Sequence, residues 1–177
     1  MKLLIIFTIF SASLTITGQN FHTEFSYDDS IHKGITIQNS YPKSGGRYTN
    51  AEGQDYVYAV FWTRIRNGSD SELEISINFP IDSDLNHSSP GVKFNLYLPN
   101  EEMTLEKDPL YDYGLDSKLF LDQNISIPSE LIVTIGPKDS HSFYVVALSN
   151  RGVNGVIRAG FELEYQDLIY KINNYKI

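Results

Sequence analysis

No cysteine occurs among the 177 residues, which excludes disulfides, a thiol nucleophile, a thiolate metal centre and an acylated lipoprotein cysteine. Stability must then rest on burial of apolar surface. There is no G-x-S-x-G elbow, no H-E-x-x-H and no glycine-rich phosphate loop, so the common hydrolase, zinc-protease and nucleotide-binding signatures are missing. The four histidines, His22, His32, His87 and His141, lie far apart in sequence, which argues against a zinc centre built from them. Positive charge is scarce. Lys and Arg total 14 against 22 Asp and Glu, a formal net charge of −8, and a surface this acidic repels phosphate backbones. Nucleic acid is not an expected partner.

Long apolar runs are also absent. Leu3 to Ile16 is interrupted by Thr8, Ser11, Ser13 and Thr15, too short and too polar for a bilayer core that needs ~20 apolar residues. One Lys followed by apolar residues and then small ones is the order of a cleaved signal peptide. Residues 1–18 are therefore expected to be a leader, with cleavage between Gly18 and Gln19, no transmembrane segment in the mature chain, and a periplasmic, surface or secreted destination. Loss of Lys2 takes the formal charge from −8 to −9. An exported domain without disulfides is ordinary for bacterial envelopes and unusual for animal extracellular modules, so a bacterial source is expected.

Residues 19–33 show no sustained period and read as an extended lead-in, with Phe21, Phe25 and Ile31 able to pin it to a neighbour. Residues 34–177 form one expected domain. GITIQNS is a short strand, and Tyr41 to Asp55 is rich in Gly, Pro, Ser and Asn and reads as a long loop. VYAVFWTRI is apolar on both faces, as in a central strand covered twice. The following Asn67-Gly68 favours a type I′ hairpin turn. ELEISINF alternates with Leu73, Ile75, Ile77 and Phe79 on one side, and VKFNLYL repeats that alternation. Residues 100–123 lose the period of two and form an acidic insertion, in which SKLFLD can make a turn or two of helix. LIVTI, HSFYVVAL, GVIRAGFELEY and LIYKI complete about eight strands. The expectation is all-β: an antiparallel two-sheet β-sandwich of immunoglobulin-like type, with a jelly roll as the alternative.

Three constellations carry candidate chemistry. Asp82, Asp84 and Asn86 reproduce the first ligand positions of a calcium loop, but His87 stands where Gly is needed and Lys93 where a bidentate carboxylate is needed. A polar inter-strand loop is the simpler reading, with a loose calcium site as the alternative and no other cofactor. Between residues 101 and 116, six carboxylates, including Asp108 and Asp112, surround Tyr111 and Tyr113. Rings beside acids suit sugar binding or, with two acids flanking a bond, glycoside cleavage. A solvated acidic loop with two tyrosines laid on the core is the simpler reading. Tyr48, beside Gly45-Gly46, joins Tyr111, Tyr113, Asp108 and Asp112 as a candidate binding residue. Trp62, the single tryptophan, is expected as a core plug between the sheets, with Arg64 and Arg66 satisfied at the strand end. Asp139, Ser140 and His141 carry triad letters, but strand alternation sends neighbours to opposite faces and prevents a relay.

The segments GITIQNSYPKSGGRYTNAEGQDYVYAVFWTRIRN, ELEISINFP and LIVTIGPKDSHSFYVVALSNRGVNGVIRAGFELEYQDLIYKI resemble small exported β-sandwich proteins of unknown function from Gram-negative bacteria. That resemblance implies an extracytoplasmic location and carries over no functional residues. The favoured expectation is a non-catalytic exported module that binds an envelope component, glycan or protein partner, exposed strand edges being natural docking surfaces. The alternative is a hydrolase of extracellular polysaccharide that uses carboxylates of the 101–116 loop. Oligomeric state is not set by the sequence.

Overall fold

A computed structural model describes residues 21–29, 33–81, 91–152, 155–173 and 175–176. The leader, its cleavage position and the Asp82, Asp84 and Asn86 loop lie outside the described residues. Among the described residues no helix is long and apolar enough to cross a membrane.

The fold is an all-β sandwich built on one long strand. That strand, β4 (Asp55–Asn67), accommodates two partners in tandem along one edge: β2 (Ile35–Ser40) against its second half and β3 (Lys43–Thr49) against its first. The break between them is bridged at Trp62, whose backbone N–H donates to Ser40 Oγ at 2.8 Å. The other edge of β4 pairs from Val57 to Arg66 with β8 (Ser140–Ser149). Outside these lie β1 (Phe21–Tyr27), on β2, and β6 (Phe94–Tyr97), on β8, giving the order β1-β2-β4-β8-β6. The second layer holds two separate pieces. One pairs β5 (Leu73–Phe79) with β7 (Ser129–Ile135); the other is β9 (Ala159–Glu164), β10 (Asp167–Ile172) and β11 (Tyr175–Lys176).

The eight expected strands are all present, joined by three that sequence reasoning did not assign. The lead-in contributes β1, and the expected long loop contains β3. Lys43 to Thr49 pairs with β4 despite its glycines because a bulge at Ser44/Gly46 absorbs the irregular backbone, with Ser44 at φ 73 and Gly45 at φ 83. The type I′ hairpin at Asn67-Gly68 is absent, since β5 pairs with β7 in the other layer and neither residue takes positive φ. Asn67 instead turns the chain between layers. Its Nδ2 donates to Ser71 O at 2.7 Å and Ile135 O at 3.0 Å, and its Oδ1 accepts from Ser69 N at 3.0 Å.

Alternation along β4 sends Ala59, Phe61 and Ile65 into the sandwich core, against Ile75, Ile77, Phe79 and Phe161. Tyr58, Val60 and Trp62 point the other way. Burial on both faces therefore holds as expected, but Trp62 is not between the sheets. It plugs a second core on the opposite face, under residues 103–125. Each aromatic ring buried there contributes roughly 2 kcal/mol of transfer free energy.

Candidate functional site

The acidic insertion is the cover of the second core. Its two 3-10 turns, Leu105–Lys107 and Tyr111–Gly114, lead to α1 (Ser117–Asn124), where Asp116 caps the helix by accepting from Leu119 N at 3.1 Å. Met103, Tyr113, Leu115 and Leu121 pack on Tyr58, Trp62, Tyr97 and Tyr144. Polar contacts lock this cover to the sheet. Trp62 Nε1 donates to Asp108 Oδ1 at 2.9 Å, Tyr144 Oη to Tyr113 O at 2.8 Å, and Tyr113 Oη to Tyr41 O at 2.5 Å. Lys43 reaches across from β3, donating to the backbone carbonyls of Asp108 and Leu110, with its ammonium 4.2 Å from the Tyr113 ring centre.

Asp112 is the most constrained acid of the segment. It is 1% exposed; Oδ2 accepts from Ser117 Oγ at 2.7 Å and Tyr58 Oη at 3.2 Å, whereas Oδ1 is buried without a hydrogen-bond partner among the described residues. Asp112, Tyr113 and Gly114 are consecutive left-handed residues, at φ 47, 56 and 76. Aspartate tolerates that conformation better than most side chains, while tyrosine is held there at a cost of order 1–3 kcal/mol. Burial, reinforced by the Asp112 carboxylate, pushes the Tyr58 phenol above its ordinary range.

The candidate binding residues therefore do not form one surface. Tyr48 is buried in the second core, where burial and neighbouring Asp122 push its phenol up to about 12. Tyr113 and Asp112 are buried, and Asp108 is half-buried and bonded to the tryptophan. Tyr111 alone stands out, 73% exposed. A pattern of acids and rings cannot distinguish this inward arrangement from a sugar-facing one, because inside the insertion no regular period tells which side chains turn inward. Among the described residues no three His, Cys, Asp or Glu side chains converge as metal ligands. Ser140 is committed to structure as well: Arg64 Nη2 donates to its Oγ at 2.9 Å, while the His141 ring stacks on Phe143.

A different site emerges where the second layer is divided. β5 pairs only with β7, leaving its other edge without a strand among the described residues. β10 pairs with β9 along its whole length, but with β11 only at Lys171 and Ile172. A cleft of about 390 Å³ lies between the β5 edge and the start of β10. Four consecutive β5 residues, Leu73 to Ser76, form one wall, and Gln166, Asp167 and Leu168 contribute to the other. Consecutive residues of both parities mark a backbone edge lining the cleft, since a sheet face would contribute alternate residues. Ile35, Ile37 and Ile65 of the main sheet line its depth, and Glu74 and Asp167 make its rim acidic. The sequence pattern identified β5 and β10 as strands; it held no signal that they remain unjoined. No protein-family model, curated protein or solved structure matches the chain.

Proposed function

We propose that this protein is an exported, immunoglobulin-like β-sandwich module without catalytic activity, which binds an extended segment of a partner protein by strand addition in the cleft between β5 and β10. The observation that carries the reading is that, among the described residues, β5 and the first part of β10 each have a strand edge without a partner strand, beside an apolar cleft lined by Ile35, Ile37 and Ile65. An added strand gains affinity from backbone hydrogen bonds at such an edge and specificity from alternate side chains directed into the cleft. Glu74 and Asp167 favour Lys or Arg at the partner positions that face the rim. The leader-like composition of residues 1–18 supports export.

The same structure gives less support to the hydrolase alternative. Asp108, Asp112 and Asp116 hold, respectively, the Trp62 indole, the Tyr58 and Ser117 hydroxyls and the first turn of α1. The first two carboxylates bind the insertion to β4, and the third caps the helix within it.

The test is binding of short synthetic peptides with apolar residues at alternate positions and either Lys or Glu between them. Saturable binding of the Lys series, with slowed amide exchange in β5 and β10, is the expected result; reversal of the rim by Glu74→Lys with Asp167→Lys should move the preference to the Glu series. Cleavage of a polysaccharide, abolished by Glu101→Gln or Glu106→Gln with the fold intact and no peptide bound, would replace this reading with the hydrolase.

A further inference from the structure

A second cleft, of about 320 Å³, lies at the opposite end of the β9–β10 hairpin, where Ala159 and Gly160 approach the first residues of β1. Its lining is polar in a specific way. Arg158 is exposed, and its guanidinium has no hydrogen-bond or ion-pair partner among the described residues. Lys171 also borders the cleft but is neutralised by Glu162 and, at 3.1 Å, by Glu164. Asn173 closes the hairpin end: its backbone N–H donates to Arg158 O at 2.8 Å, and its side-chain Oδ1 accepts from Arg158 N at 2.9 Å. With the oxygen so engaged, the amide nitrogen of Asn173 is the group left to donate.

Across the cleft, His22 Nδ1 lies 2.9 Å from Asn39 O. A carbonyl only accepts, so Nδ1 carries the proton and Nε2 is free to accept from a ligand hydroxyl. Phe25 adds an apolar surface. An uncompensated guanidinium in a chain of net charge −8 is notable because acids outnumber bases, 22 to 14, yet Glu162, the one carboxylate among the described lining residues, is already held by Lys171.

We propose that this cleft binds a small carboxylate-bearing, hydroxylated ligand of the sugar-acid class. The Arg158 fork takes the carboxylate, the Asn173 amide donates beside it, and Glu162 and His22 Nε2 accept from hydroxyls. The planar guanidinium matches a carboxylate through two parallel hydrogen bonds. This site is separate from the β5–β10 cleft and does not depend on strand addition there.

The test titrates the purified protein with glucuronate, glucose and inorganic phosphate, following the backbone amide signals of Gly160 and Asn173. Saturable binding of glucuronate is expected, with glucose and phosphate weaker by about tenfold or more. Arg158→Gln should lose glucuronate binding by a similar factor without changing the melting temperature, and Arg158→Lys, which keeps the charge but not the fork, should restore little of it. Absence of saturation by glucuronate, unchanged affinity in Arg158→Gln, or equal binding of phosphate would each overturn the proposal.

Discussion

The side-chain amide of Asn39 hydrogen-bonds the backbone of Phe161, 122 residues away, as a neighbouring strand would: Nδ2 donates to Phe161 O and Oδ1 accepts from Phe161 N, both at 2.9 Å. The same amide donates to Thr23 Oγ1 at 3.1 Å and accepts from Thr63 Oγ1 at 2.9 Å. One buried side chain thus joins β1, β4 and β9, and covers part of the β9 edge that β10 does not use. Asn39→Ala would leave buried groups on three strands without partners and should lower stability by about 3 kcal/mol in urea unfolding. A loss under about 1 kcal/mol would show that those groups find other partners.

Gly160 is required by that contact. A Cβ there would lie 2.4 Å from Asn39 Cγ and 2.7 Å from Asn39 Cβ, so Gly160→Ala should destabilise by about 2 kcal/mol or more. Combined with Asn39→Gly, which removes all of those side-chain atoms, the clash disappears, and the double variant should be more stable than the sum of the two single losses predicts. Additive losses in the double-mutant cycle would disprove the steric explanation.

Trp62, buried and bonded to Asp108, is the only tryptophan and therefore reports on the second core. Its emission should be blue-shifted and resistant to iodide quenching. Asp108→Ala removes the acceptor and should cost about 1 to 2 kcal/mol, whereas Asp108→Asn retains a carbonyl oxygen and should cost less. Equal losses for both would mean that the indole bond contributes little.

Asp112 provides a sharper contrast. Asp112→Asn keeps an acceptor for Ser117 and Tyr58, removes a buried carboxylate and retains a side chain that tolerates left-handed backbone. It should be close to neutral in thermal unfolding. Asp112→Ala loses both bonds at a strained position and should cost about 2 to 3 kcal/mol.

Stability should also fall in alkali. Burial, with Asp122 beside Tyr48 and Glu101 acting on Tyr144, pushes both phenols up to about 12. Unfolded tyrosine loses its proton near pH ~10. Above that pH the unfolded chain ionises while the native phenols remain neutral, so the stabilisation is complete below about pH 10 and is lost as the pH rises through about 12. Tyr48→Phe combined with Tyr144→Phe should flatten this decline in melting temperature; an unchanged slope would assign it to other groups.

Strand positions were legible where burial follows a local rule. Ile75, Ile77 and Phe79 are buried while Glu74, Ser76 and Asn78 are exposed, as the alternation of ELEISINF requires. The helical tendency of SKLFLD likewise appears as α1. Tyr41 to Asp55 was misleading because its glycines and proline mark a turn in isolation; pairing with β4 and the bulge at Ser44 recover part of it as strand. The acidic segment was recognisable as an insertion, but the inward direction of Asp112 and Tyr113 depends on two left-handed residues that composition does not reveal.

By itself the sequence determined the all-β class, the double-sided burial of β4 and the need to hold the fold without disulfides, because side-chain alternation and chemical composition act residue by residue. Only the tertiary structure decided that Asn67-Gly68 crosses between layers, that the acidic insertion roofs a second core over Trp62, and that β5 and β10 leave a cleft between them. Those features arise from pairing and packing across large sequence separations, where many partners satisfy the same local pattern and the whole fold selects one.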